Sequence, residues 1–381
     1  MLKKAKERVI VLKITYKQKC YYTNYAKNYY EDGTFYKVDK LSPVHVTIKP
    51  TLCCVANCLH CNPRNKRFDG KKILTIEDYN ILFKKLYKMG TRSICISGGE
   101  PLLYKNIIQL VKIATKNKLK VSLNTNGYLL SKETFDELLN AGLLSLNVSI
   151  DSPFPEKHDN LRNLKGLFNR TTSNIIECEK NVIPFILNIR MVLSKYNFRD
   201  IDKMIDMALN LKADVLSIDM IEADSQNKFF LLNENEILEF RNIIIPKLIE
   251  KINSLDISDK LKKYNVKEIN DIFNIKFNAT SNFENGIYWP DDRIKEKCDI
   301  PNTFMIIEGD GSVLPCNAVE YNRDKIVGNI LETSIEQLWK SDKWEKFRIE
   351  KMNFCRECPM NMSFMIFFNE KRIERDYYED K

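Results

Sequence analysis

From Val44 onward the chain alternates short apolar runs with amphipathic stretches, and this alternation predicts its elements. Apolar runs of roughly four to eight residues between polar turns read as strands. Six such runs occur: Val44–Ile48, Ser93–Ser97, Lys120–Asn124, Leu144–Ile150, Phe185–Val192 and Asp214–Ile221. Helical periodicity lies between them, near residues 75–89, 105–117, 131–140, 167–180 and 198–211. Thr75 and Asp78 open the first helix with a pattern close to a capping box, and Gly90 closes it. Strands joined by helices imply a parallel sheet with right-handed crossovers. Further on, Glu234–Ile252 reads as one helix and 258–285 as a polar, Asn- and Lys-rich connection. Residues 8–41 read as β-rich, with a turn at Glu31-Asp32-Gly33-Thr34 between two tyrosine-containing runs.

At 381 residues and 44% hydrophobic content, the chain can build one large domain or two ordinary ones. The net charge of +9 is front-loaded: residues 1–41 carry ten Lys/Arg against four Asp/Glu. A basic face attracts an acidic partner; a merely solvated lysine-rich surface is the other reading. No aromatic-and-glycine RNA-binding motif is present, so no nucleic-acid partner is expected. No apolar run approaches the roughly 20 residues of a membrane span, and the start lacks a secretory apolar core. Eleven cysteines without an export signal point to reduced thiols and metal ligation in the cytoplasm.

Cys54, Cys58 and Cys61 stand in the run C-V-A-N-C-L-H-C. Three thiolates so spaced can hold three irons of a [4Fe–4S] cluster and leave the fourth open to a small molecule. A structural zinc knuckle is the competing reading, with His60 as an awkward fourth ligand. Ser97-Gly98-Gly99-Glu100-Pro101 follows the second predicted strand. Bare glycines permit close backbone approach to a ligand, and a carboxylate pairs with an ammonium.

Together the two motifs resemble the C-x3-C-x2-C and G-G-E signatures of the radical S-adenosylmethionine (SAM) enzymes. The resemblance implies a partial (β/α)6 barrel, with Gly98, Gly99 and Glu100 at the SAM methionine. Asn126, in the run Asn124-Thr125-Asn126-Gly127, resembles the segment near the SAM ribose, and Ser149, in Val148-Ser149-Ile150-Asp151, a further SAM contact. A plain strand-ending turn is the competing reading for both. Asp151 reads as a cap for the next segment. Arg190 on the fifth strand is a candidate partner for the SAM carboxylate, whereas Arg162 reads as a surface ion pair. The three histidines have no common spacing, and Cys53 reads as a buried bystander. Cys20, Cys95 and Cys178 have no assignment.

A second set, Cys298, Cys316, Cys355 and Cys358, supplies a full complement for a cluster or a zinc. Glu308–Cys316 encloses a tight turn at Gly309-Asp310-Gly311. The set resembles the auxiliary-cluster region of SPASM and twitch radical SAM enzymes. With no cysteine beyond Cys358, it favours the twitch form and one auxiliary [4Fe–4S] cluster. The expected division is a basic β-rich extension at 1–43, a radical SAM barrel at 44–221, a helical connection at 222–294 and a small auxiliary-cluster domain at 295–381.

The resemblance implies reductive SAM cleavage to a 5′-deoxyadenosyl radical that abstracts a substrate hydrogen. The expected substrate is a ribosomally made peptide, and the expected electron donor is flavodoxin- or ferredoxin-like. Rival readings are a dehydrogenase of a sugar or aminocyclitol, a maturase of another enzyme, and a zinc- or cluster-bearing binding protein without catalysis.

Overall fold

The computed structural model describes residues 42–61, 72–178, 185–221, 228–276, 300–316, 325–349 and 363–367. The predicted extension at 1–41 and the candidate ligands Cys298, Cys355 and Cys358 lie outside them.

Six strands form the centre: β1 (His45–Thr51), β2 (Ser93–Gly98), β3 (Lys120–Thr125), β4 (Leu143–Ser149), β5 (Ile186–Leu193) and β6 (Val215–Met220). Each pairs in parallel with the next, so their carboxyl ends share one edge. Helices Ile76–Met89, Ile107–Lys116, Lys132–Asn140, Leu167–Glu177 and Ile201–Asn210 return the chain between them. The first starts with a complete Thr75/Asp78 capping box and ends on Gly90 at φ 109°, a conformation that favours glycine.

Side chains alternate across each strand, so one face packs on these helices, while on the other Ile186 and Val215, at the starts of β5 and β6, meet Leu261 and Tyr264 from further along the chain. Val46, Ile48, Ile94, Ile96, Leu123, Leu146, Ile189 and Leu216 join the helix residues in one continuous core. The opposite face carries a polar ladder. Asn124 donates to Ser97, Asn147 to Asn124, and Asn188 to Asn147, at 3.2, 2.8 and 3.0 Å, and Ser217 closes on Asn188 at 3.0 Å. Each rung follows a leucine or isoleucine that points to the helices. The same Leu-Asn step recurs on β3, β4 and β5 in register.

The region beyond 295, expected as a separate small domain, supplies both flanks of this sheet. β7 (Phe304–Glu308) pairs in parallel with β1, followed antiparallel by β8 (Ser312–Leu314) and β9 (Gly328–Asn329). β10 (Ser363–Phe367) pairs antiparallel with β6. Bare edges of β1 and β6 would present unpaired backbone groups, and these segments satisfy them. The ten-stranded order is β10-β6-β5-β4-β3-β2-β1-β7-β8-β9.

Three element readings need correction. The polar stretch at 258–285 contains a helix, Asp259–Lys276, because Leu261, Asn265 and Ile269 fall every fourth residue and are buried. Polar neighbours had masked that spacing. The helix expected over Glu234–Ile252 runs as Glu234–Glu239 and Ile245–Ser254 with a π turn at Phe240–Ile244 between them. Pro246 has no N–H for the Asn242 carbonyl, and Ile245 N–H bonds Phe240 instead, widening the ladder locally. An unexpected helix, Pro155–Arg162, follows β4; it buries His158, Leu161 and Arg162, so no apolar period announced it.

Candidate functional site

The parallel sheet brings the ends of β1 to β6 to one edge, where ligand-handling residues of such folds gather. The cysteine loop leaves β1 there. Cys53 N–H caps Thr51 Oγ1 at 3.1 Å, and Cys61 N–H closes a turn on the Cys58 carbonyl at 3.1 Å. Cys54 is exposed, Cys58 buried and Cys61 half-buried. Cys53 is exposed too, not the buried bystander expected, because only its backbone is engaged.

The glycine motif braces this loop. Gly99 N–H donates to the Thr51 carbonyl at 3.0 Å and Glu100 N–H to the Cys53 carbonyl at 2.7 Å. A Cβ on Gly98 would lie 2.2 Å from Thr51 O, and one on Gly99 2.1 Å from Cys53 O. Gly98 also holds φ 124°. The close approach that requires glycine is therefore to the cysteine loop's own backbone.

Glu100 is 1% exposed. Its carboxylate accepts from Leu102 N–H at 3.0 Å, Thr125 Oγ1 at 2.7 Å and Asn126 N–H at 2.8 Å. Burial raises its pKa above the usual range despite those donors. Asn126 in turn lays its amide Nδ2 at 3.8 Å from Cys54 Sγ. Glu100 thus ties the glycine turn to the end of β3, and Asn126 carries that tie to a candidate ligand.

Arg190 on β5 pairs with Asp219 of β6, with Nε at 2.9 Å and Nη2 at 2.5 Å from one carboxylate oxygen. Ser149 is half-buried and stands opposite Arg190 in register. Cys316 follows β8 just past the predicted Gly311 turn and packs near Phe304 and Ile306. Cys95 is half-buried on the polar face, and Cys178 lies in the core.

Arg162 and Asp151 depart most from expectation. Arg162 is buried, not a surface ion pair, and Asp151 is fully buried, not a simple cap. Nε and Nη2 of Arg162 grip the two Asp151 oxygens at 2.6 and 2.9 Å, and Nη1 points at Cys58 Sγ at 3.9 Å. Burial alone would raise the Asp151 carboxyl, but Arg162 and then His60 outweigh it and hold it well below the usual range. His60 Nε2 lies 3.7 Å from Asp151 Oδ2. His158 Nδ1 accepts the Asp151 N–H at 3.1 Å, and burial lowers its pKa to about 4, so the ring is neutral at pH 7. Two of the three histidines therefore meet at Asp151, His60 at its carboxylate and His158 at its backbone N–H, a grouping that sequence spacing did not show.

Although Cys54 as a residue is exposed, the protein packed around its sulfur pushes the thiol up to about 11, and burial holds the Cys58 thiol above its usual range against the pull of Arg162. Metal ligation deprotonates such thiols outright. Among the described residues no three Cys, His, Asp or Glu side chains gather closely enough to share a single ion. A cluster assigns one iron to each thiolate, so its cysteines need no common point, unlike the tetrahedral zinc alternative. The donor set, with a cysteine at the surface at one end and a cationic donor at the other, fits an iron–sulfur cluster.

Residues 48–208 match the model of the radical SAM superfamily, and residues 298–359 match that of an iron–sulfur cluster-binding domain, SPASM. Both cysteine sets fall within these spans. The AdoMet-dependent heme synthase of Methanosarcina barkeri is 34% identical over 43% of this chain and 46% of its own length. The chain thus spans about half of that relative. The PqqA peptide cyclase of Rhizobium meliloti is 24% identical over 84% of this chain and 80% of its own. Among solved structures, Streptococcus suis SuiB bound to S-adenosylmethionine superposes with a TM-score of 0.61 at 18% identity, covering 84% of this chain and 71% of SuiB. The AdoMet-bound anSMEcpe gives 0.58 at 18%, covering 89% and 92%. The two domains make [4Fe–4S] clusters and SAM the cofactors. Motif, sheet topology and domain matches converge: the chain carries a radical SAM domain over residues 48–208 and a SPASM domain after it, over residues 298–359.

Proposed function

We propose that this enzyme cleaves SAM reductively and uses the resulting radical to modify a ribosomally made peptide. The observation that carries the first half is the placement of Cys54, Cys58 and Cys61 at the carboxyl edge of the sheet, beside the Gly98–Glu100 turn. In this reading those three cysteines hold the cluster whose open iron binds SAM, and Cys298, Cys316, Cys355 and Cys358 hold one auxiliary cluster. When bound, the first cluster supplies the electron that splits SAM into methionine and a 5′-deoxyadenosyl radical. The chain's own residues set the geometry. Glu100 and Asn126 fix the loop that presents Cys54. Gly98, Ser149 and Arg190 line the same edge and are candidate SAM contacts. For Glu100 the contact is the one lone-pair site that three internal donors leave open. Arg190 would bind a carboxylate while keeping Asp219 as its second partner. The polar ladder floors the reaction space and orients a polar substrate.

The peptide half rests on coverage. The match to PqqA peptide cyclase covers 84% of this chain, whereas that to the GTP 3′,8-cyclase of Alkaliphilus oremlandii covers 54%. The basic residues 1–41 suit an acidic peptide. A flavodoxin- or ferredoxin-like donor is the proposed reductant, and the proposed domain limits are 1–43, 44–221, 222–294 and 295–381. The test is incubation of the reconstituted, reduced enzyme with peptides encoded beside its gene. A mass change on an acidic peptide, with KM rising when residues 1–41 are deleted, is expected. Turnover of a sugar or aminocyclitol with no peptide product would overturn the peptide assignment.

A further inference from the structure

The buried pair of Arg162 and Asp151 has no part in the chemistry above. Buried ion pairs cost desolvation and are weak sources of stability, so the direction in which this one points is informative. The Asp151 carboxylate takes both Arg162 Nε and Nη2, and its Oδ1 also accepts Val192 N–H at 3.0 Å. Its carbonyl accepts Asn197 Nδ2 at 2.8 Å. Elements after β4, on β5 and after β5 thereby lock one guanidinium edge. The remaining edge, Nη1, meets Cys58 Sγ at 3.9 Å, and Cys54 and Cys61 also lie within the guanidinium's electrostatic reach. Arginine cannot give up its charge. A fixed, permanently cationic donor has been aimed at a buried thiolate position from 104 residues away in sequence.

Hydrogen bonds to the sulfurs and local net charge are the protein's main controls over the potential of an iron–sulfur cluster. Reduction adds negative charge, which a nearby cation stabilises. We propose that Arg162 is a positioning residue that raises the reduction potential of the cluster held by Cys54, Cys58 and Cys61, with Asp151 aiming it and offsetting part of its charge. This rests on those cysteines holding a cluster, the reading argued under the proposed function.

The experiment is an EPR-monitored redox titration of the anaerobically reconstituted full chain without substrate. The first-site signal is identified as the one that SAM perturbs. Arg162→Gln should shift its potential downward and Arg162→Lys should restore most of the shift. Asp151→Asn, which leaves the guanidinium charge unopposed, should shift it upward. General loosening of the site would move both variants in one direction, so the opposed signs separate tuning from damage. If Arg162→Gln loses its iron, Asp151→Asn still decides: an unchanged or lowered potential there overturns the proposal. Wild-type protein with zinc and no iron at these three cysteines would instead refute the cluster reading, before any variant is compared.

Discussion

Glu100 braces the site from within, and its replacement by glutamine tests that brace. Glutamine keeps the shape but faces three donors with one acceptor and an NH2 group. A buried donor left without an acceptor costs about 1–3 kcal/mol. Glu100→Gln should lose stability of that order by urea denaturation and weaken SAM binding in the folded fraction. Wild-type stability with weakened SAM binding would mean that the carboxylate serves the ligand alone. Gly99→Ala is a sharper probe of the same turn. Its methyl would press on the Cys53 carbonyl, which is backbone and cannot swing aside. The variant should bind about four fewer irons than wild type, the content of one cubane cluster. Full iron loading would show that the loop has room the structure does not display. The motif residues were legible in the sequence because their chemistry is local. Arg162, Asp151 and His60 were not, since their meeting depends on a helix at Pro155–Arg162 that buries polar groups and so leaves no apolar period.

At the scale of elements, the strands carry two opposed faces that ask for different things. Leu123 points into the helix-packed core and is fully buried. Leu123→Ala should cost about 2–5 kcal/mol through lost burial and the cavity left behind. Ser145 on β4 faces the other way and is half-buried. Ser145→Ala should stay within about 0.5 kcal/mol, as substitutions away from packed or paired groups do. Equal losses in urea denaturation would contradict the two-faced sheet. All six central strands were readable because apolar runs and their bounding turns are short-range signals. The asparagine ladder went unread: a Leu-Asn step stands on three strands, but it gains meaning only from the register that places Asn124, Asn147 and Asn188 side by side. The Asp259–Lys276 helix shows the reverse difficulty: a few buried positions among many Lys and Asn are enough for packing and too few to stand out.

At the scale of the whole molecule, strands from beyond residue 295 extend the barrel's sheet on both flanks. β7 continues the sheet beyond β1, the strand that delivers the first cysteine set, and β10 covers β6. Long-range pairing of this kind is invisible to local pattern, which is why residues from 295 onward read as an appended unit. Truncation before residue 295 should therefore leave two unpaired edges and give an aggregating protein, by light scattering and sedimentation. A soluble, monodisperse fragment with SAM affinity intact would show that the barrel is self-sufficient.

The central claim is that Cys54, Cys58 and Cys61 carry a cluster that splits SAM. The most direct measurement is anaerobic reconstitution, chemical reduction and chromatographic assay of 5′-deoxyadenosine and methionine formed from SAM. The wild-type chain should bind about eight irons and form both products in equal amounts. The triple variant Cys54→Ala, Cys58→Ala, Cys61→Ala should keep about four irons and form neither. Product formation by the triple variant, or none by fully loaded wild type, would contradict the account.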